Sequence, residues 1–435
     1  MKIHFIGIGG IGVSALAQYY LAKGHTVSGS DLAASEITDF MQQKGVGVII
    51  GNSADNIKQD FDLVVYSPAV KETNPELAKA KELGIKAQSY PEALGDLTKE
   101  YYTIAVAGAH GKSTTTTMIA LALTRAGCDP TVIVGTRVKE FSAQGGPASG
   151  GGSNFRAGKS KFLVIEACEY DSSFLHYQPH IVVLTNIDKE HLDYFKTFAN
   201  VKKAFKDFIV RLPNDGFLVF DKDDKYAPKL GKTKFKAVGI SLKQKDSAKV
   251  RKILKVPGKH NVAHGLAVLA VGKILNIPEK IVLESLAEFR GTWRRFEILK
   301  EGKLTVISDY GHHPNEIMAT LQAACEKYPK KRILCVFQPH QHQRTYYLFN
   351  DFVKVFRSAP VDSIILTDIY DVAGRETKKI NQEVSSEELA NKINRKNVIY
   401  CATNDLENFV KEKVKDTDVL IVMGAGDIYH LVEKF

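Results

Sequence analysis

Residues 103–123 read TIAVAGAHGKSTTTTMIALAL, an apolar run followed by a glycine-containing turn and a second apolar run. The first run has the length and composition of a buried strand, and the second has those of a helix. A Gly-Lys-Ser turn between a strand and a helix presents backbone N–H groups and the positive end of the helix dipole to an anion. The stretch therefore predicts one strand–turn–helix unit of an α/β fold, with a phosphate-binding loop.

In this loop, Lys112 would neutralise the β- and γ-phosphates that the backbone N–H groups bind, and Ser113 or Thr114 would hold Mg²⁺. The usual first glycine of the motif falls at Val106, so the loop is a shorter variant. The predicted phosphate-binding residues are Gly108, Ala109, His110, Gly111, Lys112, Ser113 and Thr114.

The same alternation of short apolar runs with helix-length segments continues along the chain. The runs are IHFIGI, DLVVYS, TIAVAG, FLVIEA, HIVVLT, LTVISD, ILCVFQ, SIILTD and VLIVMG. Such runs are typical of buried parallel strands, and 435 residues exceed what one hydrophobic core supports. We predict an α/β protein of three domains, at residues 1–98, 99–298 and 299–435. The Gly- and Ser-rich residues 142–160 are predicted to be a loop, and the Lys-rich residues 222–259 an exposed antiparallel excursion.

Composition narrows the class of protein. The chain is 44% hydrophobic and 25% charged, which is typical of globular proteins. Its net charge of 59 − 49 = +10 suits anionic partners, but charge alone does not separate nucleotides from nucleic acid. Five cysteines without a CxxC pair disfavour a disulfide framework and a zinc knuckle. Without a signal-peptide pattern or an apolar run of transmembrane length, we expect a reduced, soluble, cytoplasmic protein.

A second glycine-rich turn lies near the start of the chain. GIGGIG at residues 7–12 follows a predicted strand and precedes an apolar helix. Asp31 comes 19 residues after Gly12, at the end of a second predicted strand, where an acid binds a ribose hydroxyl. The pattern predicts a nucleotide site and fits either NAD or a UDP-sugar.

Acids and a histidine follow two predicted strands of the central block. Glu166 and Glu169 follow FLVI, and His191 and Asp193 follow IVVLTNI. Active sites of α/β proteins collect at such carboxyl strand ends, and Mg²⁺ prefers oxygen ligands. Glu169 and His191 are the pair that we favour as metal ligands, together with Ser113.

The last block carries four histidines at two strand ends, in DYGHHP at residues 309–314 and QPHQHQRT at 338–345. Their spacing matches no zinc signature, so a polar substrate pocket is the better interpretation. In GTWRRFE at residues 291–297, two adjacent arginines are able to clamp a phosphate.

Taken in order, these motifs resemble those of the Mur ligase family over the whole chain. The matching segments are FIGIGGIGVSALA, SPAV, GAHGKSTTTTM, EACEYDSSFL, TNIDKEHLD, PGKHN, RRFE, DYGHHPNEI, FQPH, DIYDVAGRE and MGAGDI. The resemblance implies three domains: a Rossmann-like N-terminal domain for a UDP-sugar, a central P-loop ATPase, and a Rossmann-like C-terminal domain that admits an amino acid.

The resemblance also implies an activity. The expected reaction is ATP-dependent joining of L-alanine to the lactyl carboxylate of UDP-N-acetylmuramate through an acyl phosphate, in peptidoglycan precursor synthesis. Attachment of a tripeptide by a sibling ligase is the alternative. An NAD(P)-dependent oxidoreductase is a distant one, since it leaves GAHGKS unexplained. The expected cofactors are ATP and Mg²⁺. We expect no nucleic-acid partner and no membrane insertion, and the protein is expected to be a monomer or a homodimer.

Roles carry over to single positions only through this resemblance. Lys112, Glu169, His191, His312 and His313 would be catalytic. Contacts to the substrates are implied for a larger set: His260, Asn261 and Arg295 for ATP, Gly9, Gly10, Ile11, Gly12, Asp31 and Ser67 for the UDP-sugar, and His312, His340 and Arg344 for the lactyl and amino-acid side. The sequence departs from the family pattern at Ala109, at His264 and at Gln341-His342.

Overall fold

The computed structural model describes residues 1–144, 152–229, 234–371 and 383–435. These residues form three sheets, each built mainly from parallel strands and flanked by helices. All nine apolar runs predicted as strands are strands, which confirms the α/β class.

The first sheet has five parallel strands in the order β3-β2-β1-β4-β5. Its elements are β1 (Lys2–Ile6), α1 (Ile11–Ala22), β2 (Thr26–Asp31), α2 (Glu36–Gln43), β3 (Gly47–Ile50), β4 (Leu63–Tyr66), α3 (Pro75–Glu82), β5 (Ala87–Ser89) and α4 (Tyr90–Glu100). Because β1 lies in the middle, the glycine-rich turn that follows it opens at the centre of the sheet edge.

The second sheet has seven strands in the order β12-β11-β10-β6-β9-β7-β8. Its strands are β6 (Tyr102–Ala107), β7 (Thr131–Val138), β8 (Ser153–Arg156), β9 (Phe162–Glu166), β10 (Ile181–Leu184), β11 (Phe217–Asp221) and β12 (Lys236–Ile240). The helices of this part of the chain are α5 (Lys112–Arg125), α6 (Leu192–Phe195), α7 (Phe198–Ile209), α8 (Asp246–Ile253), α9 (Lys259–Ile274) and α10 (Glu279–Glu288). Strand β6, which leads into the Gly-Lys-Ser turn, is again central.

Two loop predictions fail in this sheet. Strand β12 pairs with β11 in parallel, so the predicted antiparallel excursion at residues 222–259 is wrong. The 14 residues between these strands are long enough for a parallel crossover. The predicted loop at residues 142–160 contains β8, which pairs antiparallel with β7. Within that loop, residues 145–151 lie outside the described ranges.

The third sheet has six strands in the order β13-β14-β18-β15-β16-β17. Its elements are β13 (Glu297–Lys300), β14 (Thr305–Asp309), α11 (Pro314–Lys327), β15 (Ile333–Phe337), α12 (His342–Tyr347), α13 (Phe349–Ser358), β16 (Ser363–Leu366), α14 (Ser386–Ile393), β17 (Val398–Tyr400), α15 (Thr403–Lys413) and β18 (Val419–Met423). Apolar side chains of β14, β15 and β18 are buried on both faces, as expected for strands covered on two sides by helices.

The described residues separate into two compact units. The first comprises Met1–Lys189, Phe198–Val250 and His264–Leu286, and therefore carries the first two sheets. The second comprises Glu190–Thr197, Arg251–Ala263 and Ala287–Phe435, and carries the third sheet. The boundaries near residues 98 and 298 stay predictions. None of the helices in the described ranges is long and apolar enough to cross a membrane.

Candidate functional site

The Gly-Lys-Ser turn connects β6 to α5 and depends on two glycines with positive φ. Gly108 has φ 137° and Gly111 has φ 79°, a region that side chains other than glycine rarely adopt. A Cβ on Gly108 would lie 2.0 Å from Thr185 Oγ1, and one on Gly111 would lie 2.2 Å from the His264 ring. The backbone approaches its neighbours so closely that only glycine fits at these two positions.

The segment after β10 holds this turn in place. Asn186 Oδ1 accepts a hydrogen bond from the His110 backbone N–H at 2.9 Å, and Thr185 Oγ1 donates to the His110 carbonyl at 2.6 Å. The His110 ring lies 3.0 Å from the Asp188 carboxylate. Sequence analysis missed the role of Thr185, Asn186 and Asp188. Their position directly after a strand beside β6 was the signal that would have identified them.

Lys112 is bound on several sides within the turn. Its Nζ donates to Gly108 O at 2.6 Å and to Ala109 O at 3.0 Å, and it lies 3.0 Å from Glu169 Oε2. Burial lowers the pKa of Lys112, but the Glu169 carboxylate outweighs that effect and the net pKa is raised. A permanently charged ammonium group therefore lies at the phosphate-binding turn.

The two acids after β9 have different partners. Ser113 Oγ donates to Glu166 Oε2 at 2.8 Å, and the Gly135 N–H donates to the same oxygen at 3.0 Å. Sequence analysis favoured Glu169 over Glu166 as a metal ligand, and the structure pairs Ser113 with Glu166 and Lys112 with Glu169. A hydroxyl and two carboxylates are oxygen donors of the kind that Mg²⁺ prefers, so this set fits a magnesium ion.

The glycine-rich turn of the first sheet brings three predicted residues together. Asp31 Oδ2 accepts from the Gly9 N–H at 2.8 Å, so one carboxylate oxygen shapes the turn. A Cβ on Gly7 would lie 3.0 Å from Ser67 Cβ, which places Ser67 against the same turn. Gly10 precedes the first residue of α1, where unpaired N–H groups favour an anion.

In the second unit, a charged cluster collects around Arg344. Arg344 Nη2 lies 3.4 Å from Glu190 Oε2, and Nη1 lies 3.2 Å from His340 Nδ1. The His340 ring stacks on Tyr370 with 5.6 Å between centroids, and the centroids of the His312 and His340 rings are 6.0 Å apart. The structure therefore brings together His312, His340 and Arg344, which come from two separate motifs.

Sequence analysis missed Glu190, the acid of this cluster. Its side chain is 4% exposed, and its Oε1 is buried without a hydrogen-bond partner among the described residues. Burial raises its pKa, but Arg344 and the nearby histidines outweigh this and hold the pKa well below the usual range. Glu190 is therefore an anion that neutralises Arg344.

The two adjacent histidines before α11 have different environments. His313 is the N-cap of α11, and its Nδ1 accepts from the Asn315 N–H at 3.3 Å. His312 Nδ1 lies 3.0 Å from the Tyr310 carbonyl, which requires the proton on Nδ1 and leaves Nε2 as an acceptor. Burial lowers the pKa of His312 to about 4, so its ring is neutral near pH 7.

The remaining predicted ATP and metal residues belong to the second unit, whereas the phosphate-binding turn belongs to the first. His191 precedes α6 with φ 55°, and its ring lies 4.0 Å from Glu190. His260 and Asn261 lie in the first turn of α9, where burial lowers the pKa of His260 to about 4. Arg295 lies 3.8 Å from Glu316.

The structure does not support a phosphate clamp made by both arginines. Arg294 is buried among the rings of Trp293, Tyr310 and Tyr429, with its guanidinium carbon 4.3 Å from the centroid of Tyr429. It also donates to the Gly424 and Gly426 carbonyls, and burial lowers its pKa to about 10. Arg294 is thus a structural residue, and Arg295 alone stays a candidate for ATP.

Family models match nearly the whole chain in three consecutive pieces. The model described as Mur ligase family, catalytic domain, matches residues 2–102. The Mur ligase middle domain matches residues 106–272, and the Mur ligase, glutamate ligase domain matches residues 294–426.

Curated and solved relatives agree with these matches. The chain is 40% identical to a UDP-N-acetylmuramate–L-alanine ligase of Clostridium botulinum, covering 100% of this chain and 97% of that one. It is 42% identical to the enzyme of that name from Caldanaerobacter subterraneus, with the same coverage. The crystal structure of a UDP-N-acetylmuramate-alanine ligase from Thermotoga maritima superposes with a TM-score of 0.81 at 28% identity, covering 100% of this chain and 98% of that one. A protein with this fold, this phosphate-binding turn and these full-length matches belongs to the Mur ligase family.

Proposed function

We propose that this protein is an ATP-dependent ligase that joins L-alanine to the lactyl carboxylate of UDP-N-acetylmuramate, a step of peptidoglycan precursor synthesis. The observation that carries the proposal is the phosphate-binding turn, in which Lys112 lies between two loop carbonyls and Glu169. The choice of substrates is supported by the full-length relatives that carry that name.

The reaction has to activate a carboxylate, because a carboxylate is a poor electrophile. ATP transfers its γ-phosphoryl group to the lactyl carboxylate, and Lys112 neutralises the charge that develops on the phosphoryl oxygens. The neutral amine of L-alanine then attacks the acyl phosphate, and phosphate leaves. Ser113, Glu166 and Glu169 would hold Mg²⁺, which supplies further neutralisation of the ATP phosphates; His191 stays a predicted ligand from the sequence.

The amine has to lose a proton, and we assign the role of acceptor to His312 from its hydrogen bonding. Its Nδ1 is engaged by the Tyr310 carbonyl, so Nε2 carries the lone pair. The lowered pKa of about 4 keeps the ring neutral at pH 7. In His313, Nδ1 already accepts a hydrogen bond at the start of α11, and in His340, Nδ1 already contacts Arg344.

The experiment is ADP release with UDP-N-acetylmuramate and, in turn, L-alanine, glycine, L-serine and the tripeptide. We expect release only when all three substrates are present, with the largest kcat/KM for L-alanine. A larger kcat/KM for the tripeptide would replace this function with that of the sibling ligase. Binding of NADH, with no binding of UDP-N-acetylmuramate, would support the oxidoreductase.

Replacing Asp31 by Ala is expected to weaken binding of UDP-N-acetylmuramate and to leave ATP binding unchanged. The variant removes the acceptor that holds the Gly9 N–H, and a hydrogen bond to a charged group contributes about 1.5–3 kcal/mol, or ~10–100-fold in Kd. Isothermal titration with each nucleotide measures the difference. Asp31→Asn keeps an acceptor oxygen and should lose less. An unchanged Kd in Asp31→Ala would make Asp31 a turn residue only.

Replacing Gln341 by Arg is expected to lower the KM for UDP-N-acetylmuramate or to leave it unchanged. Gln341 precedes α12 and is anchored by its backbone N–H to the Tyr370 carbonyl, which the substitution preserves. The added charge would strengthen a contact to a substrate phosphate or carboxylate. Gln341→Lys supplies charge without the planar fork and should help less. A folded but inactive Gln341→Arg protein would show that the site depends on Gln341 itself.

A further inference from the structure

A row of buried polar side chains joins α1 of the first sheet to β8 of the second. Asn154 Nδ2 donates to the Ile11 carbonyl and to Ser14 Oγ, the latter at 2.9 Å. Gln18 Nε2 donates to Asn154 Oδ1 at 2.8 Å, and Ser153 Oγ donates to Gln18 Oε1 at 3.3 Å. We call the residues Ser14, Gln18, Ser153 and Asn154 the amide seam. All four are at most 6% exposed.

The amide seam reaches the start of α1. Ile11 is the first residue of the helix, and Gly10 before it has no side chain with which to cap the helix. Ser14 and Gln18 follow at three and seven residues, so they lie on the same face as Ile11. The first turn of α1 is therefore held by a side chain from the sheet that also carries the phosphate-binding turn.

Apolar packing alone does not fix this turn. Tyr19 of α1 packs edge-to-face on Phe155 of β8, with 6.4 Å between centroids, which already holds the helix against the strand. On the other side, a cavity of about 200 Å³ separates the seam from α2. Buried amides cost desolvation energy unless every hydrogen bond is made, so they favour one relative position of the two elements.

We propose that Asn154 and Gln18 are positioning residues that hold the first turn of α1 where it binds the diphosphate of the nucleotide-sugar. This inference rests on the proposed function, in which that turn binds UDP-N-acetylmuramate. Since β8 belongs to the same sheet as β6, the amide seam sets the position of the diphosphate relative to the phosphate-binding turn for ATP. The anchoring carbonyl belongs to Ile11, and the N–H groups of this turn contact the diphosphate.

The test uses Asn154→Ala and Gln18→Met in the full chain. Gln18→Met keeps the length of the side chain and a good helix former while it removes the amide. We expect the Kd of UDP-N-acetylmuramate to rise about tenfold in both variants and the KM of ATP to stay within about twofold. Asn154→Asp keeps the acceptor for Gln18 and loses the donor to Ile11, so it should resemble Asn154→Ala.

Thr98→Val is the matched control. Thr98 is fully buried, and its Oγ1 accepts from the Gln178 N–H at 3.0 Å, so it joins α4, rather than α1, to the segment that precedes β10. The Thr98→Val variant should have a lower Tm and an unchanged Kd for UDP-N-acetylmuramate. If the seam variants lower Tm but leave the Kd of UDP-N-acetylmuramate within about twofold of the wild-type value, the inference is wrong. If the Asn154 variants do not fold, the result for Gln18→Met alone decides. Failure of the wild-type protein to bind UDP-N-acetylmuramate would instead overturn the proposed function.

Discussion

A Lys112→Ala variant is expected to lose about 10³-fold in ATP consumption, because it removes the only side-chain cation that the described residues of the turn 108–114 place at the phosphates. ADP release with all three substrates measures the loss. Near-wild-type ADP release would show that the turn does not bind the phosphates of ATP.

The same variant should also be less stable, because Lys112 and Glu169 form a buried ion pair. The side chains of Lys112 and Glu169 are 12% and 1% exposed. Removing one partner of a buried ion pair leaves the other charge uncompensated and costs about 3–5 kcal/mol. The double variant Lys112→Ala/Glu169→Gln removes both charges. It should recover much of the Tm while activity stays lost, which separates the catalytic effect from the structural one.

A Glu190→Gln variant is expected to lower kcat/KM for L-alanine about 10²-fold and to leave ATP binding unchanged. The substitution keeps the shape of the side chain and removes the negative charge that faces Arg344. Arg344 would then shift, and a displacement of about 1 Å in a positioning group is enough for a loss of this size. Steady-state kinetics with L-alanine varied and a separate ATP titration measure the two effects.

Glu190→Asp is the matched control for this prediction. It keeps the charge and shortens the side chain by one methylene, so it should retain more activity than Glu190→Gln. If both variants lose activity equally, the length of the side chain matters more than its charge. If Glu190→Gln keeps both Tm and kcat/KM, the pair with Arg344 does not position a substrate group.

The nine strands with long apolar runs were predictable, because such runs are buried on both faces and need no tertiary information to be recognised. The two glycine-rich turns were predictable for a similar reason, since each lies between a strand and a helix and requires positive φ. Strand β8 was not predictable, because SNFR is short and follows a glycine-rich segment. It is a strand because β7 and α1 supply its partners.

The misassigned site residues share a physical cause. Arg294 and Arg295 are adjacent in sequence, and only the packing of Trp293, Tyr310 and Tyr429 shows that one of them is enclosed. Glu190 lies within the segment TNIDKEHLD, but its importance follows from Arg344, which lies 154 residues away. Pairing at such separations leaves no periodic pattern in the sequence.

The position of β18 has a consequence for biosynthesis. This strand, Val419–Met423, lies between β14 and β15 and pairs with both. During translation, β14 and β15 are synthesised well before β18. Until β18 is made, the strand that pairs with both of them is missing. The first two sheets hold no strand from this region and are able to fold while synthesis continues. A nascent chain that stalls before residue 419 would thus expose the apolar edges of β14 and β15 to chaperones and proteases, although the first two sheets are already complete.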